Sequence, residues 1–480
     1  MGSYFRPFIG KLRANSTFQS IQRKTVFRIM WWEGFNVKVA VIGTGYVGLV
    51  TGTCLAYSGH SVVCVDSSAE KIAILSSGGL PLWEQGLDEL LNETIKLGRI
   101  CFTTDMKSAV QSSDVLIVCV GTPWGPGGEA DLDPLWSVVR QVALYCKQGP
   151  FLIIKSTVPV GTSDEIEQWL HTVQTKPSIE VIHNPEFLRQ GAAVYDFFHP
   201  DRIVAGCRTI QARSVITELY KDIAAHVYFC DRRSSELIKY ASNAFLAMKI
   251  SFINMMADFS EHTGARIDVV AAGMGMDRRI GKSFLQAGIG YGGSCFPKDL
   301  QALLSMGHKW NCSLPLLEST VSINAQRPQH LVDKLLHALG TLKAKRIALL
   351  GLTFKPMTDD LREATSLAVS RLCLQHGADL HAYDPFVRDY PIAEVVLHRD
   401  MYEAIDSADA IVILTEWEQL HDLDWQLVSQ KLRTRVVIDG RNMFDWDDMQ
   451  HVADTCHITY ISMGRPVIYA STAMKSPDPV

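Results

Sequence analysis

VKVAVIGTGYVGLVTGTCLAYSGHSVVCVDSS, residues 37–68, decides the fold. It reads as an apolar strand, a glycine turn, a helix of small residues and a second apolar strand closing on Asp66, which is a βαβ unit. Gly43, Gly45 and Gly48 stand between strand and helix, so a pyrophosphate could rest on bare amides at the positive end of that helix. Asp66 lies 18 residues beyond Gly48, where a carboxylate can accept both ribose hydroxyls and would repel a 2′-phosphate. NAD is therefore expected in preference to NADP. The cofactor-binding residues this unit itself offers are Gly43, Gly45, Gly48 and Asp66.

Outward from it, strand-like runs recur at VLIVCVGTP (115–123), FLIIKST (151–157) and IEVIHNPEF (179–187), with helical stretches between most of them. That alternation predicts a parallel sheet covered by helices on both faces. From about 232 to 330 the pattern turns helical, with Ser234 or Ser235 as expected N-cap and Gly264 as expected stop of one long helix. Strands return at Arg346 in RIALLGL, ADLHAYDP, DAIVILT and RVVIDGRN, so the only internal echo is an α/β pattern at both ends of the chain. The expected fold class is α/β, two Rossmann-like doubly wound parallel-sheet domains joined by a long central helical dimerisation region. Its parts are a basic extension at 1–36, a dinucleotide domain at 37–231, a helical domain at 232–330, a second α/β domain at 331–465 and a frayed tail at 466–480.

The chain has 480 residues, 47% hydrophobic and 20% charged, with 46 basic and 51 acidic side chains and a net charge of -5. Two to four domains of roughly 100–200 residues fit that length. The balance leaves no overall basic field to draw the chain onto nucleic acid or an anionic membrane, and the longest apolar runs fall far short of the roughly 18 residues a membrane span needs. Small-molecule chemistry is the better expectation. Eleven cysteines without a C-x-x-C pair suggest neither a disulfide framework nor a metal site, and point to a reducing, cytoplasmic setting. Residues 1–29 carry Arg6, Lys11, Arg13, Arg23, Lys24 and Arg28 and no acid, the composition of an organelle transit peptide or of a mobile tail, with Met30 as an alternative start.

A second signal is GIGYGGSCFPKDL (288–300), a glycine-rich run leading to Cys295, then Pro297, Lys298 and Asp299. Pro297 suits a first helical turn. A thiol at a helix N-terminus beside an ammonium has a lowered pKa, so Cys295 is expected as a thiolate nucleophile sharing a helical face with Asp299. In ELIKYASNAF, Lys239 and Asn243 are four apart, and an ammonium beside an amide can hold an oxyanion or can be an ordinary solvent stripe. Glu186 in HNPEFLRQG (183–191) ends a strand on the side where ligands normally bind.

With GTGYVG, VGTP, KSTVPVGT, NPEFLRQG, ELIKYASNAF, GMGMDRRIG, GYGGSCFPKDL, GLTFKP and VIDGRN in this order from about 37 to 465, the chain resembles the UDP-glucose 6-dehydrogenases of the UDP-glucose/GDP-mannose dehydrogenase family. The resemblance implies a four-electron oxidation of UDP-glucose with two NAD, through a cysteine thiohemiacetal and thioester. It implies Cys295 as nucleophile, Lys239 and Asn243 as oxyanion donors, Asp299 as proton mover, and Thr122 and Glu186 as residues that hold and activate water, and it adds Tyr46, Val47, Lys71, Thr122 and Lys298 to the cofactor-binding set. For the sugar nucleotide it implies Phe187, Leu188, Lys239, Asn243, Phe284, Leu285, Tyr291, Gly292, Lys355 and Arg441, with Arg279 reaching the neighbouring subunit's substrate in a homodimer or higher homo-oligomer.

Two departures stand out. Where many relatives have a second Glu in NPEFLREG, this chain has Gln190, which can position a water but cannot take its proton, so the base role moves to Glu186 or Asp299. The usual YEPGL reads WEQGL here, so Trp83 and Gln85 alter a loop near the cofactor. Three readings compete with the one preferred: a GDP-mannose or other nucleotide-hexose dehydrogenase, a catalytically dead nucleotide-sugar-binding paralogue, and a plain NAD-binding scaffold.

Overall fold

The structure, a computed structural model, describes residues 36–470 except 126, 148 and 174–177. Residues 1–35 of the basic leader and 471–480 of the tail lie outside the described residues. The first sheet holds β1 (Lys38–Ile42), β2 (Ser61–Val65), β3 (Ile100–Thr103), β4 (Val115–Val118), β5 (Phe151–Ile154), β6 (Glu180–His183), β7 (Ile203–Gly206) and β8 (Val227–Cys230), in the order β3-β2-β1-β4-β5-β6-β7-β8. Strands β1 to β6 are parallel, and β4 is buried along its whole length because helices cover both faces. One face packs against Leu49, Leu55 and Phe197, the other against Leu135, Val139 and Ile166. The parallel expectation changes at β7, which meets β6 antiparallel at His183 and Gly206, with β8 parallel to β7.

The second sheet is parallel throughout: β9 (Arg346–Leu350), β10 (Asp379–Tyr383), β11 (Val395–His398), β12 (Ala410–Ile413), β13 (Val436–Asp439) and β14 (Thr459–Ser462), in the order β11-β10-β9-β12-β13-β14. It repeats the first sheet's turn. Gly43 N donates to Val65 O and Gly351 N to Tyr383 O, both at 2.8 Å, with φ of +95° and +82°. Asp384 then takes the place of Asp66. Its carboxylate accepts from the amides of Leu352 (2.7 Å), Phe386 (2.9 Å) and Val387 (3.1 Å), and from Trp417 Nε1 at 3.0 Å. Trp417 is stacked in turn on Phe386, so this carboxylate is sealed.

Between the sheets runs a 32-residue helix, Arg232–Thr263. Its N-cap is Asp231, whose carboxylate accepts from Ser234 N, so the expected capping by Ser234 or Ser235 is corrected; Gly264 ends the helix at φ 74° as expected. One face is a buried polar spine. Arg232 pairs with Asp164 and Glu167, and Glu236 accepts from the amides of Gly161 (2.6 Å) and Ser163 (2.8 Å). Lys239 pairs with Glu186, Asn243 donates to Asp299, and Asn254 accepts from Gly288 N. Buried charges and amides persist only when paired in this way. The opposite face leaves Leu237, Phe245, Phe252, Met255 and Phe259 exposed.

The helix Pro315–Leu339 runs through residue 331, where the sequence suggests a boundary, and gives Leu331, Val332 and Leu335 to the second sheet's core. The expected fraying from 466 is also corrected for its first residues. Ile468 is buried and bonds in antiparallel fashion to Tyr460, and Pro466 O accepts from Trp446 Nε1. Among the described residues no helix is long and apolar enough to cross a membrane.

His183, last residue of β6, is fully buried with Nδ1 2.8 Å from Ser235 Oγ on the central helix. Burial first, and then the charges of Lys155 and Lys239, push its pKa down to about 3. Unfolded, it titrates near 6.5, so between about pH 6.5 and 3 only the unfolded chain takes the proton and stability falls as pH falls. The effect on this window is bounded at ~4 kcal/mol. The stability deficit of His183→Gln in urea unfolding should therefore shrink from pH 7 to pH 4; a constant deficit would show that His183 does not titrate in this window.

Candidate active site

The glycine turn has the form a dinucleotide needs. At Gly48 a Cβ would lie 1.8 Å from Gly43 O, so the helix Tyr46–Tyr57 can start this close to β1 only without a side chain there. At Gly45, the N-cap, a Cβ would meet nothing within 4 Å, and no side chain caps the helix. Open space above uncapped amides fits a pyrophosphate. Asp66 faces the same turn and accepts from Thr44 N (2.9 Å), Thr44 Oγ1 (2.7 Å), Ser68 N (3.0 Å) and Lys71 Nζ (3.1 Å). Burial alone would raise its pKa, but the Thr44 and Ser68 bonds and Lys71 outweigh it and hold the carboxyl at about 2. Asp66 is an anion at any working pH, and Lys71 anchors it from the solvent side.

A cleft of about 950 Å³ lies beyond the C-terminal end of β6 and gathers side chains from distant segments. Glu186, Phe187 and Leu188 come from the loop after β6, Lys239 and Asn243 from the central helix, Phe284 from the loop before the glycine run, and Cys295 from the start of the helix Phe296–Lys309. Lys239 Nζ donates to Glu186 O (2.7 Å) and Oε1 (3.0 Å). Asp299 accepts from Asn243 Nδ2 (2.7 Å) and Lys298 Nζ (2.6 Å), and Lys298 stands 3.4 Å from Thr122 Oγ1. Two lysine–carboxylate pairs thus flank one thiol.

Their charges decide its state. Desolvation works against the Lys239 ammonium, but Glu186, Asp299 and Cys295 raise its pKa, so it stays protonated; desolvation likewise works against the Glu186 carboxylate, but Lys239 holds its pKa down. Cys295 is reachable from the cleft, yet enclosure by protein pushes its pKa up, Glu186 and Asp299 add to this, and Lys239 offsets only part. The lowered pKa expected from a helix N-terminus beside an ammonium is therefore corrected. That ammonium is already answered by a carboxylate, and the resting group is a thiol.

Three models of one family match in sequence along the chain. They are described as the UDP-glucose/GDP-mannose dehydrogenase family NAD binding domain at residues 37–224, central domain at 233–326 and UDP binding domain at 348–446. The chain belongs to the UDP-glucose/GDP-mannose dehydrogenase family. A UDP-glucose 6-dehydrogenase of Rhizobium meliloti (strain 1021) is 43% identical over 90% of this chain and 100% of its own length. The structure of a UDP-glucose dehydrogenase from Pyrobaculum islandicum superimposes with a TM-score of 0.83 at 33% identity, covering 91% of this chain and 98% of that one. A UDP-D-ManNAc dehydrogenase from Pyrococcus horikoshii gives 0.80 at 27% identity, over 89% of this chain and 99% of that one.

Within this family frame, several expected contacts lie apart from the cleft. Leu285 points into a small core with Ile253, Ala257 and Ile267, Tyr291 is buried edge-on against Phe296, and at Gly292 a Cβ would lie 2.1 Å from Glu363 O. Lys355 donates to Gln190 O, and Arg441 is clamped by Glu416 (2.6 and 3.0 Å) while donating to Gly290 O (3.1 Å). Arg279 pairs with Asp277 and is 89% exposed. Val47 packs against the first core, and the Thr122 hydroxyl gives its proton to Thr157 O, which leaves its oxygen as an acceptor toward Lys298 or a water. Gln190 faces Asp360 at 3.1 Å, and Trp83 meets Phe386 edge-on. The sequence reading passed over Lys155 and Arg202, which line the cleft, and Glu84, whose buried carboxylate bonds Tyr46, Gly191 and Ala193. Lys155 and Glu84 lie inside quoted motifs, but no spacing rule marks them.

Asp66→Asn keeps the turn's shape and removes the anion. We expect kcat/KM for NAD to fall at least ~10-fold, and the preference for NAD over NADP to narrow. Steady-state kinetics with both cofactors, at matched Tm, check this; an unchanged ratio would remove Asp66 from cofactor choice.

Proposed function

We propose that the chain oxidises the C6 alcohol of UDP-glucose to the carboxylate in two NAD-dependent steps, yielding UDP-glucuronate, with Cys295 as covalent nucleophile. The observation that carries this reading is the meeting of Cys295 with the Lys239–Glu186 and Asn243–Asp299 pairs in one cleft. The relatives named for UDP-glucose support the substrate. NAD, when bound on the glycine turn, accepts a hydride from C6 in each half-reaction.

In the first half-reaction the C6 hydroxyl loses its proton as the carbon loses hydride, giving the aldehyde. Cys295 sulfur then bonds to that carbon, and the thiol proton passes to the carbonyl oxygen, giving a thiohemiacetal. Loss of a second hydride and of the hydroxyl proton leaves a thioester. Water adds to it, the C–S bond breaks, and the sulfur regains a proton. Each tetrahedral stage builds charge on oxygen, which the Lys239 ammonium and the Asn243 amide stabilise from one helical face. Asp299, four residues from Cys295 and bonded to Asn243, passes protons through water, and Glu186 orients the hydrolytic water. Gln190, turned to Asp360, takes no part in that proton transfer.

Phe187, Leu188 and Phe284 give the sugar nucleotide its cleft wall, while Leu285, Tyr291 and Gly292 shape it through the backbone. Lys355 and Arg441 act by fixing the carbonyls of Gln190 and Gly290. The outward stripe of the central helix, with Phe245 58% and Phe259 64% exposed, supports a homodimer built on this face, with Arg279 exposed beside its partner Asp277 and able to exchange it for a neighbour's substrate. A chain of eleven cysteines without a C-x-x-C pair agrees with a reducing compartment such as the cytoplasm.

With limiting UDP-glucose and excess NAD, two NADH should form per sugar; one per sugar, or turnover only with GDP-mannose, would overturn the assignment. Cys295→Ser should stall the second half-reaction, and full conversion to the uronate by that variant would exclude a covalent role. Phe252→Glu with Phe259→Glu should give a monomer in size-exclusion chromatography with light scattering, and an unchanged mass would place the interface elsewhere.

A further inference from the structure

The loop that opens with Glu186 continues to a turn at residues 190–193 that is held from two sides. On the side of the second sheet, Lys355 Nζ donates to Gln190 O, Gln190 Nε2 donates to Asp360 (3.1 Å), and a Cβ at Gly191 would lie 2.3 Å from Met357 O. On the side of the first sheet the turn is held by Glu84 and Tyr46. Glu84 accepts from Gly191 N and from Ala193 N, both at 2.7 Å, and from the Tyr46 hydroxyl, which itself lies 3.0 Å from Gly191 N. Glu84 is 3% exposed, and no ion pair to it is formed among the described residues. A buried carboxylate without a bonded cation is costly, and it is kept here by neutral donors that belong to two separate parts of the site.

Those parts are the cofactor seat and the substrate loop. Tyr46 is the first residue of the helix whose bare N-terminus forms the pyrophosphate cradle. Gly191 and Ala193 continue the loop whose Glu186 holds Lys239. We propose that Glu84 is a positioning residue that couples the dinucleotide seat to the turn at 190–193, and through Lys355 and Asp360 to the sugar-nucleotide domain. A cofactor that fixes the Tyr46 end fixes Glu84, which presents Gly191 and Ala193 to the second domain in the bound arrangement. Each ligand then lowers the ordering cost of the other, and the coupling is reciprocal. This inference rests on the proposed use of NAD and a UDP-sugar by the two domains.

Glu84→Gln keeps the side chain's size but sets an NH₂ group against the N–H of Gly191 or Ala193. Tyr46→Phe keeps the carboxylate and both amide bonds and removes one donor. Calorimetric titration of the full-length chain with NAD, alone and with saturating UDP, measures the coupling as a ratio of dissociation constants. We expect a ratio of about five or more in the unaltered chain, close to one in Glu84→Gln and intermediate in Tyr46→Phe. A destabilising role alone would lower Tm in both variants and leave the ratio untouched. A ratio of one in the unaltered chain, or equal ratios in all three proteins, overturns the proposal; should Glu84→Gln not fold, the ratio in Tyr46→Phe decides. Binding of both ligands without turnover of UDP-glucose would instead remove the proposed reaction and leave this coupling standing.

Discussion

The central helix carries its charges inward and its phenylalanines outward, and much of the molecule is arranged to answer that inversion. Arg232, Glu236, Lys239, Asn243 and Asn254 lie on one face at intervals that keep them buried. Each must find a partner, since an ion or amide left alone inside a protein costs several kcal/mol. The partners come from everywhere else: Asp164 and Glu167 from the first domain, the amides of Gly161 and Ser163 at the head of the next helix, Glu186 from the loop after β6, Asp299 from the helix behind Cys295, and Gly288 from the glycine run. Lys239 and Asn243, the groups proposed to act on the substrate, are the middle members of a row of obligatory polar contacts, so the same pairing that builds the domain junction aligns the cleft.

What could be read in the sequence was local. Strand, glycine turn, helix and Asp66 lie within one βαβ unit, where each residue's role follows from its neighbours. The cleft residues were legible as types on suitable elements, because Lys239 and Asn243 share a helical face and Cys295 precedes a helix. The thiol's state was not, because it depends on Glu186 and Asp299, which lie 109 positions before Cys295 and one helical turn after it, and on how far Lys239 is already neutralised. Leu285 and Phe284 are adjacent, and only the backbone turn at Phe284, with φ of 65°, decides which faces the cleft and which the core. The reversed direction of β7 left no trace either, since a four-residue apolar strand has no polarity in its composition. Glu84 escaped notice because its donors are backbone amides more than 100 residues away.

A cleft whose charges cancel in pairs has a chemical consequence for its sulfur. A protonated resting thiol is a poor target for peroxides and other adventitious oxidants, which attack the thiolate. Once ionised, a thiolate of raised pKa is the stronger nucleophile toward a carbonyl carbon and the poorer leaving group from a thioester. In the proposed mechanism such an environment favours capture and retention of an acyl group at Cys295 over its release.

The sealed Asp384 bears on timing. The second sheet repeats the turn of the first, but Trp417 closes over Asp384, whereas the first turn keeps open space above Gly45. In the proposed reaction the two hydrides leaving one carbon would be collected in turn at a single seat. Between the two collections a free aldehyde could diffuse away or hydrate. Closure of the duplicate seat turns the chemistry into a queue, and a queue needs a tether.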